Sequence, residues 1–154
     1  MHSAKTLSDC LHLLDFRAGI EAEAASMAAR HHGPEQLDEL SGALNRFQAG
    51  GNNPSARLNC DFEFHLAIAR ASQNPYIIDA VSSLRPSMIS MPLRRLETHD
   101  AASSGDRLLF VNQEQRSIFD AIIANDPMAA AAAMRSHLVN SKMRLAFEAG
   151  CRKA

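Results

Sequence analysis

The chain has 154 residues, 46% of them apolar and 21% charged, with a formal net charge of −1. That length and balance suit one ordinary globular domain and exclude a disordered tail or a fibrous repeat. With near-zero charge, no Trp and a single Tyr, the chain offers neither the cationic surface nor the stacking platform that nucleic acids require, so any action on DNA falls to another segment. Cys10, Cys60 and Cys151 form no CxxC pair, no apolar run approaches the ~20 residues of a membrane span, and the N-terminus lacks a signal peptide's apolar stretch. The chain reads as cytoplasmic, with no membrane partner.

Leu7, Leu11, Leu14, Ala18, Ala22, Ala25 and Ala29 recur at helical spacing and predict a first helix from Leu7 to His31, stopped by Gly33 and Pro34. Pro34 opens a second helix with the stripe Leu37, Leu40, Leu44 and Phe47, closed by Gly50 and Gly51. Asn53 and Pro54 read as cap and first turn of a third, carrying Leu58, Phe62, His65 and Ile68 to about Ser72. A fourth begins near Pro75 with Ile78, Val81 and Leu84, and a kink or break is expected at Pro86 and Pro92. The stretch from Glu97 to Asp106, with its Ala-Ala-Ser-Ser-Gly run, is expected to be a loop.

A fifth helix is expected from about Arg107, with Leu108, Val111, Gln115, Ile118 and Ile122 on one side. Asn125, Asp126 and Pro127 restart the chain as a sixth, reaching about Ala149, whose Ala129 to Ala133 run favours helix and close packing. No segment alternates like a strand, and no phosphate loop or GxSxG elbow is present. The expected fold is all-α, an antiparallel bundle of six helices.

Polar residues on these apolar stripes are the informative ones, because a buried polar group is unfavourable unless it is paired or metal-bound. Asp61 and His65, four apart, share one helix face; Gln115 interrupts the fifth stripe; His137 lies between Met134 and Ser141 on the inward edge of the sixth. Each alone is most simply a hydrogen-bonded core residue. A carboxylate and imidazoles converging from several helices, however, is the composition of a zinc or other divalent transition-metal site with an open position. His31, His32 and His99 are expected at the surface.

Asp61-Phe-Glu-Phe-His65, followed by Asn74-Pro75, closely resembles the D-x-x-F-H…N-P segment of the C-terminal domain of FadR-type regulators in the GntR superfamily of bacterial transcription factors. Arg17-Ala-Gly-Ile-Glu21 is similar to that family's R-x-x-I-E segment, and Glu114-Gln115, Ala121-Ile122, Asp126 and Met134-Arg-Ser-His137-Leu138 continue the likeness, which runs from about Leu11 to Leu145. The resemblance implies a bundle of six or seven helices, a ligand-binding domain over residues 7–150 that senses a small organic acid and transmits its occupancy to a DNA-binding domain. It also implies a metal, zinc or nickel, held by an Asp and three His.

By position the ligands would be Asp61, His65 and His137, while the family's remaining His falls on Gln115, a harder and weaker donor that would weaken the metal or leave a doubtful fourth corner. Residues 1–6 read as a linker too short for the family's winged helix-turn-helix domain, so DNA binding would come from a domain absent from this sequence, in a homodimer.

Arg17 is the expected contact for the effector carboxylate, its alternative being a surface pair with Glu21; Arg85, then Arg94 and Arg95, are further candidates. Two other functions compete: a metal-dependent hydrolase with Glu63 or Glu114 as base, and a purely structural dimerisation module. The chain lacks HExxH and the paired ExxH motifs of di-iron bundles, so it is not expected to be an enzyme.

Overall fold

The computed structural model describes residues 6–50, 53–89 and 101–151. Six helices are bounded within the described residues, α1 Leu7–His31, α2 Pro34–Ala49, α3 Pro54–Ala71, α4 Pro75–Ser83, α5 Ala101–Ile123 and α6 Pro127–Cys151, and residues 85–89 form a further helical run. Among the described residues there is no strand, so the fold is the all-α bundle expected.

Helix starts follow from cap chemistry. Thr6 and Asp9 exchange side-chain and backbone hydrogen bonds in a capping box at α1, and Asn53, Asn74 and Asp126 accept from backbone N–H groups at α3, α4 and α6, each followed by a first-turn proline. Two turns hold a non-glycine residue at positive φ, Gln73 at 57° after α3 and Asn125 at 55° after α5. Both sit just past a helix end, where a left-handed residue closes the last turn.

Helices α1 and α3 form the centre. From Glu21 to Ala29 only Glu23 is exposed, and α3 is buried from Phe64 to Ala69. The small side chains of Ala18, Ala22, Ala25, Ala28 and Ala29 let α1 lie close against α6 and α3. Glu21 pairs with His65 and His31 with Gln73, so α1 and α3 run parallel, and α2 packs against α3. Arg107 meets Glu148 and Glu114 meets Asn140, so α5 and α6 are antiparallel.

Four expectations change. The fifth helix starts at Ala101 rather than near Arg107, so residues 101–106 of the expected loop are helical; the Ala and Ser residues there carry little helix penalty, and Gly105 extends rather than ends the turn. Residues 97–100, Pro92, His99, Arg94 and Arg95 lie outside the described residues. Leu7, placed on the apolar stripe, is 39% exposed in the first turn of α1. The expected break occurs ahead of Pro86: α4 ends at Ser83, and residues 85–89 resume helix, where proline is tolerated because a first turn needs no amide donor. His31 is exposed, whereas His32 is half-buried against the Ala28 carbonyl.

Candidate metal and effector centre

Helix α3 presents Asp61 and His65 one turn apart, and α6 brings His137 to the same point; one ligand atom from each lies within 4.8 Å of the others. His65 and His137 are almost fully buried, at 1% and 3% exposure, while Asp61 keeps 28% of its side chain accessible and forms the solvent-facing corner. The His65 and His137 Nε2 atoms are 3.3 Å apart, and His65 Nε2 is 3.8 Å from Asp61 Oδ1.

Each imidazole is fixed from behind. His65 Nδ1 donates to Glu21 Oε2 on α1, and His137 Nδ1 donates to Glu114 Oε2 on α5 at 2.7 Å. An ionised carboxylate only accepts, so both rings carry a proton on Nδ1 and turn Nε2 into the gap, where the two Nε2 atoms stand at hydrogen-bond distance. Carboxylate–histidine pairs of this kind orient metal-binding imidazoles and raise their basicity. Burial alone would raise the Glu21 pKa, but the Arg17 guanidinium and the His65 ring outweigh it and lower it to about 2. At Glu114 burial is likewise outweighed, by hydrogen bonds from His137 and Arg144 and the His137 ring's charge, again to about 2. His137 is lowered, chiefly by burial, against the opposing hydrogen bond to Glu114.

The donors fit a divalent transition metal. Two imidazole nitrogens on one tetrahedral ion, each about 2.0–2.1 Å from it, stand about 3.3 Å apart. Two histidines and a carboxylate with further positions open is also a recognised coordination set for larger geometries.

Gln115 is fully buried, and its Nε2 donates to Asp61 Oδ1 at 2.7 Å. The reverse amide orientation would set two acceptors against each other, so the chemistry fixes this one. Gln115 therefore faces the centre as a hydrogen-bond donor to a ligand residue, and not with its carbonyl on the fourth corner as the family pattern suggested.

Arg17 does pair with Glu21, Nε to Oε1 at 2.6 Å, but the pair is buried and not at the surface: Arg17 is 4% exposed because α6 and α3 cover this face of α1. Its Nη2 has no partner among the described residues. Arg85 is engaged elsewhere, bound to Glu63 and lying 4.4 Å over the Phe62 ring, with its side chain 44% exposed. Glu63 is thereby held outside the cluster.

Sequence reasoning missed the orienting roles of Glu21 and Glu114. Glu21 falls on the buried line Leu14, Ala18, Ala25, Ala28, a charge on an apolar stripe just as His65 is on α3. It also missed Arg144, whose two terminal nitrogens reach both Glu114 oxygens at 2.9 and 3.0 Å. A surface hollow lined by Met27, His31, Gln73, Asn74 and Tyr76 shares no residue with the cluster.

A helical bundle whose core is interrupted by two carboxylate-backed imidazoles is a binding module organised around a buried polar centre. Residues 12–140 match the FCD domain, and the chain belongs to that family, the C-terminal effector-binding domain of GntR/FadR-type regulators. The HTH-type transcriptional regulator LutR of Bacillus subtilis is 31% identical over 135 residues, covering 86% of this chain and 60% of its own. The HTH-type transcriptional repressor NanR of Escherichia coli K12 is 28% identical over 134 residues, covering 82% and 47%.

Among solved structures, Streptococcus agalactiae GntR superposes with a TM-score of 0.71 at 22% identity over 90% of this chain and 60% of its own, and E. coli McbR/YncC with 0.72 at 19% over 87% and 62%. The chain thus spans 47% to 62% of the length of these relatives. Its homologues are transcription regulators and not enzymes, which removes the hydrolase alternative. No described helix is long and apolar enough to cross a membrane.

Proposed function

We propose that this regulatory domain senses a small organic acid (a sugar acid, hydroxy acid or dicarboxylate) at a divalent metal, zinc or nickel, held by Asp61, His65 and His137. The supporting observation is the pair of Nε2 atoms 3.3 Å apart, each with Nδ1 committed to a carboxylate. With Nδ1 committed on both rings, the two Nε2 atoms are left to share one proton or to give a lone pair each to a cation in the gap. When bound, the metal supplies a positive centre that attracts a carboxylate.

The chain's own residues do the rest. Glu21 and Glu114 set the ring orientations, Gln115 steadies Asp61, and the unpartnered Arg17 Nη2 offers a donor suited to an acid's carboxylate. Asp61, the most accessible of the three ligands, marks the way in. Helices α1, α3, α5 and α6 all contribute residues, so an acid bound among them favours one arrangement of the bundle by its difference in affinity for the two. The output is control of DNA binding by a winged helix-turn-helix domain outside this sequence, in a homodimer.

The test is thermal melting of the purified chain with zinc, nickel or chelator, each against a panel of sugar acids, hydroxy acids and dicarboxylates. A ligand at ~100 times its dissociation constant adds about 2.7 kcal/mol, worth several degrees for a domain of this size. If no metal and no acid moves the transition, the sensing role is wrong.

A further inference from the structure

We infer that Gln115 is a specificity-determining residue that reads a hydroxyl group on the effector. The inference rests on the acid-sensing role proposed above and adds to it the chemical class selected.

Gln115 is the fully buried polar side chain nearest in role to the three ligands, and only half of its amide is used. Nε2 is spent on Asp61 Oδ1, while Oε1 is buried with no partner among the described residues. The oxygen and nitrogen of one amide are about 2.2 Å apart, so Oε1 lies within about 5 Å of Asp61 Oδ1, beside the cluster. A buried acceptor left unpaired is unfavourable by about 1–3 kcal/mol, and whatever fills the centre is the natural donor.

The neighbouring groups restrict that donor. His65 Nε2, His137 Nε2 and Asp61 all present lone pairs to one point, so the ligand must supply lone pairs to the cation they share. At Oε1 it must supply a proton. A hydroxyl does both; an oxo group has no proton to give, and an ammonium has no lone pair. The class selected is therefore an acid carrying a hydroxyl close to its carboxylate. A histidine here would serve as a ligand and leave no such acceptor, so the discrimination belongs to this chain's own residue.

Calorimetric titration of the zinc-loaded chain with two matched series tests this: lactate, pyruvate and propionate, then malate, oxaloacetate and succinate. The expected result is at least tenfold tighter binding of the hydroxy acid than of the oxo and unsubstituted acids in one series. Gln115→Met, similar in size with neither carbonyl nor amide N–H, also loses the hydrogen bond to Asp61 and so should weaken zinc and every acid together, but it should level the series to within about twofold. Gln115→Leu is the second variant should the first fail to fold. Equal binding across both series in the natural chain, or unchanged discrimination in either variant, overturns the role of Gln115 while leaving acid sensing intact. If none of the acids binds the zinc-loaded chain, the sensing role falls with it.

Discussion

His65 and His137 lie with ring planes 21° from parallel and meet tip to tip, Nε2 to Nε2, at 3.3 Å. With both Nδ1 atoms committed to Glu21 and Glu114, only one proton can lie between the two Nε2 atoms, and a divalent ion there would take a lone pair from each. Zinc should therefore raise the melting temperature relative to chelator by several degrees. In His65→Ala and His137→Ala that difference should vanish, because two ligands remain where three are needed. An undiminished zinc shift in either variant would place the metal elsewhere.

Glu21 serves Arg17 with one oxygen and His65 with the other, both inside the core. Gln at this position keeps the shape but offers only one acceptor and no charge, so Arg17 becomes an uncompensated buried cation. Breaking a buried pair from one side is unfavourable by about 3–5 kcal/mol, and losing the carboxylate behind a ligating imidazole weakens metal binding about 10–100-fold. Glu21→Gln should show both in urea denaturation and in zinc titration. A loss of stability with zinc affinity unchanged would make Glu21 a packing residue only.

Much of this arrangement was legible in the sequence. Prolines 34, 54, 75 and 127 mark helix starts unambiguously, because the missing amide acts locally, as does the Asn or Asp acceptor that precedes the last three. Asp61, His65 and His137 stood out because polar residues interrupt apolar stripes. Glu21 and Glu114 did not, because each also suits an exposed helical ion pair, and only the packing of α1 and α5 against α3 and α6 turns them inward. The start of α5 was missed for a similar reason: the Ala and Ser residues from 101 suit loop and helix alike, and the bundle decides. Which way the Gln115 amide faces follows from Asp61 on another helix, a relationship no local pattern carries.

Acid should destabilise the chain over a defined range. Glu21 and Glu114 have folded pKa values lowered from 4.5 to about 2, so the folded state binds fewer protons than the unfolded. Their contribution is present above pH 4.5 and is lost as pH falls from there toward 2. His137 is lowered from 6.5, so its contribution likewise fades on acidification, beginning near that value. Stability in chelator should therefore decline below about pH 6.5 and more steeply below 4.5. Glu114→Gln should flatten the lower part of the profile; a melting temperature indifferent to pH between 7 and 4 would contradict these assignments.

Arg85 offers a contrast with Arg17. Its partner Glu63 is about as exposed as it is, and pairs of that kind contribute about 0–1 kcal/mol. Arg85→Ala should lower stability slightly, through the lost contact with Glu63 and the Phe62 face, and leave zinc and acid titrations unchanged. Arg17→Met should instead weaken the acid. Acid binding weakened in Arg85→Ala and unaltered in Arg17→Met would exchange their roles.

Arg144 stands one step further out, and its variants separate charge from geometry. Its two terminal nitrogens hold the two Glu114 oxygens in parallel, Asn140 adds a third hydrogen bond at 2.9 Å, and Glu114 in turn fixes His137. Lys at this position keeps the positive charge but replaces a planar two-point grip with a single mobile ammonium. If Arg144 acts only by its field, Arg144→Lys should bind zinc like the natural chain. If it acts by orienting Glu114, and through it the His137 ring, Arg144→Lys should lose several-fold in zinc affinity, and Glu114→Gln more. The second outcome is expected, because Glu114 is partly accessible to water, which screens charge far more than it relaxes a bidentate geometry. Zinc affinity in Arg144→Lys equal to that of the natural chain, with Glu114→Gln impaired, would confine the orienting chain to Glu114 and His137.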